Sequence, residues 1–224
     1  MLLRSLITFD EAFGTAERVA NIHNYRAYTG QAYASYRSSH GGVVRFGLLR
    51  YILRDLLSLD DGDYFVDLGS GCGIISNCVG IYKPLVTSIG IEFHQGRINV
   101  SYLTCNTLQQ YNTKNFIRSF SPPLFIHGDI TDEDTMEYHL TRPNLKMFFN
   151  NFNALMLYDC ILQAFERLAN DHCLIGTMIV TLEPLFFGDN IWTRSQFNHT
   201  VMPHELSWMA PFSVIQIYVY RRYA

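Results

Sequence analysis

The feature that most constrains this chain is the run Val66-Asp67-Leu68-Gly69-Ser70-Gly71-Cys72-Gly73. It follows a short β-prone segment, Tyr64–Asp67, and precedes a helical pattern over residues 74–82. Alternate glycines let the backbone turn sharply out of a strand and pass close to a ligand, and a following helix start leaves free N–H groups beside it. The loop is not a dinucleotide fingerprint, because G-x-G-x-x-G needs a glycine where Ile74 stands. It is not a Walker loop either, since no Gly-Lys-Ser/Thr closes it. A turn that holds nothing is the alternative reading at this point.

The rest of the chain alternates strand and helix. A short helix is predicted near residues 10–20, then an irregular stretch ending in Ser38-Ser39-His40-Gly41-Gly42. From Val43 onward Val44, Leu48, Ile52 and Leu56 recur at four, a helical spacing that Asp60-Asp61-Gly62 stops. Val86–Ile91 is the second strand, and Ile98, Tyr102, Cys105 and Leu108 mark a helix over roughly 94–111. Pro122-Pro123 turns the chain into strand Leu124–His127. Thr131 is expected to cap a short acidic helix, Leu145–Phe149 to be strand four, and Leu155, Tyr158, Leu162, Phe165 and Ala169 to form one helix stripe. Cys173–Thr181 reads as strand five, and Ser213–Tyr220 is a long β-prone run with no crossover helix before it. The pattern predicts an α/β fold: a mostly parallel sheet closed by an antiparallel pair at the C-terminal end.

Three acids stand at successive strand tips. Asp67 ends the first, Glu92 follows Ile89-Gly90-Ile91, and Asp129 follows His127-Gly128. Ligands in open α/β sheets bind along that carboxyl edge. A carboxylate at Glu92 can accept ribose hydroxyls; its other reading is a solvated strand end. Asp129, with the Ile130 amide, can meet a purine ring, or Asp129 can simply cap a helix. The arrangement D-x-G-x-G-x-G resembles that of S-adenosylmethionine-dependent methyltransferases, in which an acid at the place of Asp67 can engage the ammonium end of the cofactor. Strand four ends Phe148-Phe149-Asn150-Asn151-Phe152, without the prolines of nucleic-acid adenine methylases. An Asn among Phe148, Phe149 and Phe152 suits a narrow apolar channel for a lysine amine, since burial there disfavours the ammonium form. The alternative is that these rings are core.

Composition supports a folded chain: 48% hydrophobic against 17% charged residues in 224 excludes a disordered one. The net charge of −3 hides a split. Residues 1–54 carry seven Arg against Asp10, Glu11 and Glu17, a local +4, so the remaining 170 residues sum to −7. That suggests a basic arm on an acidic body. Five cysteines without a CxxC pair argue against a disulfide framework or a four-ligand zinc site, and the acidic run Asp129–Glu137 lacks calcium-loop spacing, so no metal is expected. No segment reaches the ~18 apolar residues of a membrane span, and none is assigned to a membrane.

The stretch Phe65–Gly73, with Gly90-Ile91-Glu92 and Phe149-Asn150-Asn151-Phe152, resembles the disruptor-of-telomeric-silencing (Dot) type histone methyltransferases, the non-SET lysine methyltransferases. Phe165–Asn170, Glu183-Pro184-Leu185 and Ser207-Trp208 look similar in type and spacing, so the resemblance spans roughly residues 40–222. It implies a seven-stranded, Rossmann-like class I methyltransferase fold over 43–224, with residues 1–42 contributing a lid. It further implies methyl transfer from S-adenosylmethionine to a lysine in the globular core of nucleosomal histone H3, in the nucleus, by a monomer whose basic N-terminal segment touches DNA. By motif position Asp67, Gly69, Ser70, Gly71 and Glu92 hold the cofactor, and Asp129 and Ile130 flank the adenine. Asn150 sits beside the methyl group, Phe149 and Phe152 line the channel, and Gly41 keeps the hinge of the covering loop. The chain departs from relatives in reading His40-Gly41-Gly42-Val43 where they carry Tyr-Gly-Glu-Thr, Ile74 where they carry Gln, and Val214 near a last-strand aromatic. Two alternatives stay open: a small molecule or other protein as acceptor, or a fold of this kind that binds cofactor without catalysis.

Overall fold

The structure, a computed structural model, describes residues 9–23, 46–115, 120–151, 159–187, 191–200 and 214–224. Its helices are α1 (Phe9–Ile22), α2 (Phe46–Arg50, continuing as a π-helical stretch Tyr51–Leu56), α3 (Ile74–Tyr82), α4 (Gln95–Asn115), α5 (Glu133–Leu140) and α6 (Asp159–His172). Its strands are β1 (Tyr64–Leu68), β2 (Thr87–Glu92), β3 (Leu124–His127), β4 (Leu145–Phe149), β5 (Met178–Thr181), β6 (Trp192–Thr200) and β7 (Val214–Arg222). They form one seven-stranded sheet in the order β3-β2-β1-β4-β5-β7-β6. The first five strands are mutually parallel; β7 runs antiparallel to β5, and β6 antiparallel to β7. The expected α/β class, with its antiparallel C-terminal pair, is what the chain adopts.

The central strands are apolar at nearly every position because helices cover both faces. Phe65, Phe148 and Val180 point into one core layer, with Ala12, Ala16 and Val19 of α1, Leu48 and Ile52 of α2, and Cys78 and Val79 of α3. Val66, Met147 and Ile179 point into the other, with Met136 of α5 and Leu162, Phe165 and Ala169 of α6. Alternation along each strand thus splits neighbouring residues between layers. α1 belongs to the first layer and is tied to α4 by a His23–Thr107 side-chain hydrogen bond of 2.8 Å. The remainder of the expected lid segment, Gly41 included, lies outside the described residues.

Several local expectations need correction. Strand five begins at Met178, not Cys173: Cys173 donates to the Ala169 carbonyl and Thr177 to the Leu174 carbonyl, so residues 173–177 turn out of α6. Leu174 and Ile175 read as strand but face solvent. The cap of α5 is Asp132, whose carboxylate accepts the Thr135 N–H, while Thr131 donates its own N–H and hydroxyl to Asp129. α4 runs on to Asn115, and α2 widens to i→i+5 spacing where Leu57 donates to the Ile52 carbonyl. Leu155 and Tyr158 of the predicted stripe lie outside the described residues; Leu162, Phe165 and Ala169 are buried as expected.

Candidate functional site

β2 and β4 flank β1 on opposite sides, so the chain reverses direction of travel across the sheet at β1 and leaves a crevice above its carboxyl end. The glycine loop fills the near side of that crevice. Gly69 and Gly71 adopt φ of +71° and +56°, where a side chain is strained, and a Cβ on either would project into open space. The loop is laced to the end of β2. Ser70 donates its N–H to the Ile91 carbonyl at 2.9 Å, and Gly71 donates its N–H to Glu92 Oε2 at 2.9 Å. From α4 the Ser101 hydroxyl donates to the Gly71 carbonyl.

Asp67 is 2% exposed, and its carboxylate accepts from the Ser76 hydroxyl at 3.4 Å. Burial pushes its carboxyl up to about 7; the Ser76 hydroxyl opposes this and the Glu92 charge adds to it. Glu92 is also buried but better satisfied. It accepts N–H groups from Gly71 and, at 2.8 Å, from His94, with the buried Arg97 guanidinium 3.8 Å away. Arg97 carries no motif signal in the sequence; it reaches Glu92 because both lie where β2 passes into α4. Of the two buried acids, only Glu92 has a guanidinium beside it, while the Asp67 carboxyl is held up by burial with the Glu92 charge nearby.

At the next strand, Asp129 Oδ1 accepts the Thr131 N–H at 3.0 Å and its hydroxyl at 2.8 Å, a local turn rather than a helix cap. Gly128 donates its N–H to the Glu92 carbonyl, so the tips of β2 and β3 are joined, and Ile130 packs half-buried on the second core layer. The histidines here are packing groups: His127 hydrogen-bonds the Phe93 carbonyl, and burial pushes the His94 imidazole down.

The far side of the crevice is neutral. Phe148 and Phe149 are core residues, one in each layer, the Phe149 ring lying edge-on to Phe165 at 5.6 Å. Phe152 lies outside the described residues. The two asparagines after β4, which the sequence does not tell apart, have opposite roles. Asn151 is 1% exposed and engaged through both ends of its amide: its Oδ1 accepts the N–H groups of Leu182 and Glu183, and its Nδ2 donates to the Glu183 carbonyl. Among the described residues, Asn150 Oδ1 is buried without a hydrogen-bond partner, as is Ser70 Oγ. Such atoms are costly to bury unless a ligand meets them. The structure therefore brings Asp67, Gly69, Ser70, Gly71, Glu92, Asp129, Ile130 and Asn150 to one sheet edge. Among the described residues no group of three or more His, Cys, Asp or Glu is placed to hold a metal, and no helix is long and apolar enough to cross a membrane.

Solved structures with this architecture include TrmN from Thermus thermophilus, with a TM-score of 0.54 at 12% identity, the match covering 94% of this chain and 52% of that one. The chain thus spans about half the length of that protein. An rRNA methylase from Streptococcus thermophilus matches with a TM-score of 0.48 at 10% identity, covering 81% of this chain and 99% of its own. No curated protein matches the sequence. The model of the family described as histone methylation protein DOT1 matches residues 16–203, most of the chain. That match covers well over half of the sequence, and the chain belongs to the DOT1 family of histone methylation proteins.

Proposed function

We propose that this methyltransferase transfers a methyl group from S-adenosylmethionine to a lysine in the globular core of nucleosomal histone H3. The observation that carries the reading is that a buried carboxylate at Asp67 and, among the described residues, a buried, unpartnered Asn150 Oδ1 stand at the carboxyl ends of the neighbouring strands β1 and β4. The cofactor fits the groups present. Open space above Gly69 and Gly71 admits it, and its ammonium group answers the charge on Asp67. Glu92, with two N–H bonds already made, retains acceptor capacity for ribose hydroxyls, since a carboxylate offers about four lone-pair sites. Asp129 and Ile130 would flank the adenine, and Gly41 would serve as the hinge of a covering loop.

When bound, the cofactor supplies an electrophilic methyl group on a sulfonium. The chain supplies position. Asn150 Oδ1 accepts an N–H of the incoming amine and aims the nitrogen lone pair. An apolar channel lining, which we assign to Phe149 and Phe152, would favour the neutral amine over the ammonium. No side chain of the site acts as a nucleophile.

The test is incubation with radiolabelled cofactor and nucleosomes, with Gly69→Arg as control. Label on histone H3 that this variant lacks is expected; no label, or equal label from the variant, overturns the reading. Neutralising Arg26, Arg37 or Arg45 is expected to lower nucleosome labelling several-fold while cofactor affinity holds, because phosphate contacts are what a basic arm contributes. A drop in cofactor affinity first would make that arm a lid instead.

A further inference from the structure

Asn150 does not hold its own position. The Asn151 N–H donates to the Phe149 carbonyl at 2.9 Å, an i→i+2 closure that makes Asn150 the centre of a three-residue turn at the tip of β4. The same Asn151 then reaches across to the next strand. Phe149 pairs with Thr181 as the last β4–β5 rung, and beyond it the Asn151 side chain substitutes for the ladder. It accepts from Leu182 at 3.0 Å and Glu183 at 2.8 Å and donates to the Glu183 carbonyl at 3.1 Å. The Thr181 hydroxyl donates to that same carbonyl at 2.7 Å, which fixes the far end of the bridge.

We propose that Asn151 is a positioning residue for Asn150: it closes the turn that carries Asn150 and fastens that turn to the end of β5. The inference rests on the reading that Asn150 faces the transferred methyl group. An asparagine suits the task because one side-chain amide accepts and donates at once, matching the backbone groups of Glu183. Leucine of similar size would leave the N–H groups of Leu182 and Glu183 and the Glu183 carbonyl without these partners. Aspartate keeps the two acceptor bonds but sets a charge against that carbonyl.

A double-mutant cycle separates positioning from mere stability. Asn150→Ala is expected to lower kcat on nucleosomes by about a hundredfold, the scale of a lost alignment. Asn151→Ala should lower kcat by at least about tenfold, and the double variant should be no slower than Asn150→Ala. If the double variant loses the product of the two effects, or if Asn151→Ala turns over like the parent, the proposal is overturned. Should Asn151→Ala fail to fold, Asn151→Asp takes its place in the cycle. Its kcat should recover as pH falls and a protonated oxygen donates to Glu183 again, and a pH-independent loss counts against the proposal. A parent chain that binds cofactor yet labels no nucleosome defeats the acceptor assignment instead. The cycle is then read on the cofactor Kd, where equality of the double and Asn150→Ala variants supports the proposal and a product overturns it.

Discussion

The two halves of the sheet edge are built differently. In the β1-β2-β3 half, charged groups stand on loops laced to neighbours by backbone N–H groups: Ser70 to Ile91, Gly71 and His94 to Glu92, Thr131 to Asp129. Two of those bonds span only two residues, and the others close over about twenty. In the β4-β5-β7-β6 half the groups are neutral amides and aromatic rings, fastened mainly through side chains. Asn151 bridges to Glu183, the Tyr220 hydroxyl holds both backbone groups of Leu185, and buried Glu166 accepts the Phe186 N–H. Under the proposed function, the first half would meet a charged ligand with a compact motif. The second would shape a neutral site, and its contacts are set only when distant segments pack.

The largest expected effect tests the charge in the first half. The Asp67 carboxyl lies near 7 in the folded chain against an ordinary 3.8, chiefly because burial penalises its charge. Its contribution to stability is therefore complete below pH 3.8 and is lost as pH rises through 7. A gap of roughly three pH units corresponds to about 4 kcal/mol. Asp67→Asn should accordingly raise Tm over the parent at pH 8 and leave it nearly unchanged at pH 4. A bound ammonium group favours the ionised form, so cofactor affinity should strengthen by up to about tenfold per pH unit below 7 and level off above it. Calorimetry between pH 5.5 and 8 measures this; a flat profile in the parent would remove Asp67 as the partner of the cation.

A smaller effect tests the packing of the same half. A Cβ at Gly90 would lie 2.7 Å from the Phe125 ring and 2.8 Å from the Ser70 hydroxyl. Gly90→Ala should therefore cost about 1–3 kcal/mol, the range for overpacking, read from urea unfolding. Cofactor affinity should fall with it, because Ser70 belongs to the loop. Phe125→Leu in the same chain should restore part of both. Restored stability without restored affinity would separate the packing of this half from its binding.

What the sequence made legible follows the same division. Alternating apolar runs and the glycine loop placed β1 to β4 and the acids at their tips, since period, turn chemistry and charge are local properties. β6 was not placed: Trp192 is buried, but Thr193 to Gln196 all face solvent, so no alternation marks a strand that its pairing with β7 defines. The early start predicted for β5 came from the apolar Cys173-Leu174-Ile175; Cys173 is buried, but the turn at Gly176 leaves Leu174 and Ile175 facing solvent. Asn150 and Asn151 are chemically identical in sequence. Only the approach of residues 182–183 makes one a tether and leaves the other open. Arg97 gave no signal because its partner, Glu92, lies across a strand-to-helix bend.

The smallest expected effect probes whether the second half can loosen alone. The Trp192 indole N–H donates to Asn170 Oδ1 at 2.8 Å, joining the start of β6 to the end of α6. The Trp192 ring is buried and stacked on Phe187 at 4.5 Å. Asn170→Ala leaves that donor without its acceptor, a loss of about 1–2 kcal/mol. The Arg222 bond to the Asn170 backbone carbonyl does not depend on the side chain, so the end of α6 keeps its cap. Amide exchange should quicken around residues 185–187 and in β6, while the glycine loop and β2 keep their protection and the cofactor Kd stays within about twofold of the parent. Had the sheet edge been one cooperative unit, protection would fall at Gly71 and Glu92 as well. That outcome would mean the charged half depends on the tethers of the neutral half, and that changes in the acceptor site carry a cost in cofactor binding.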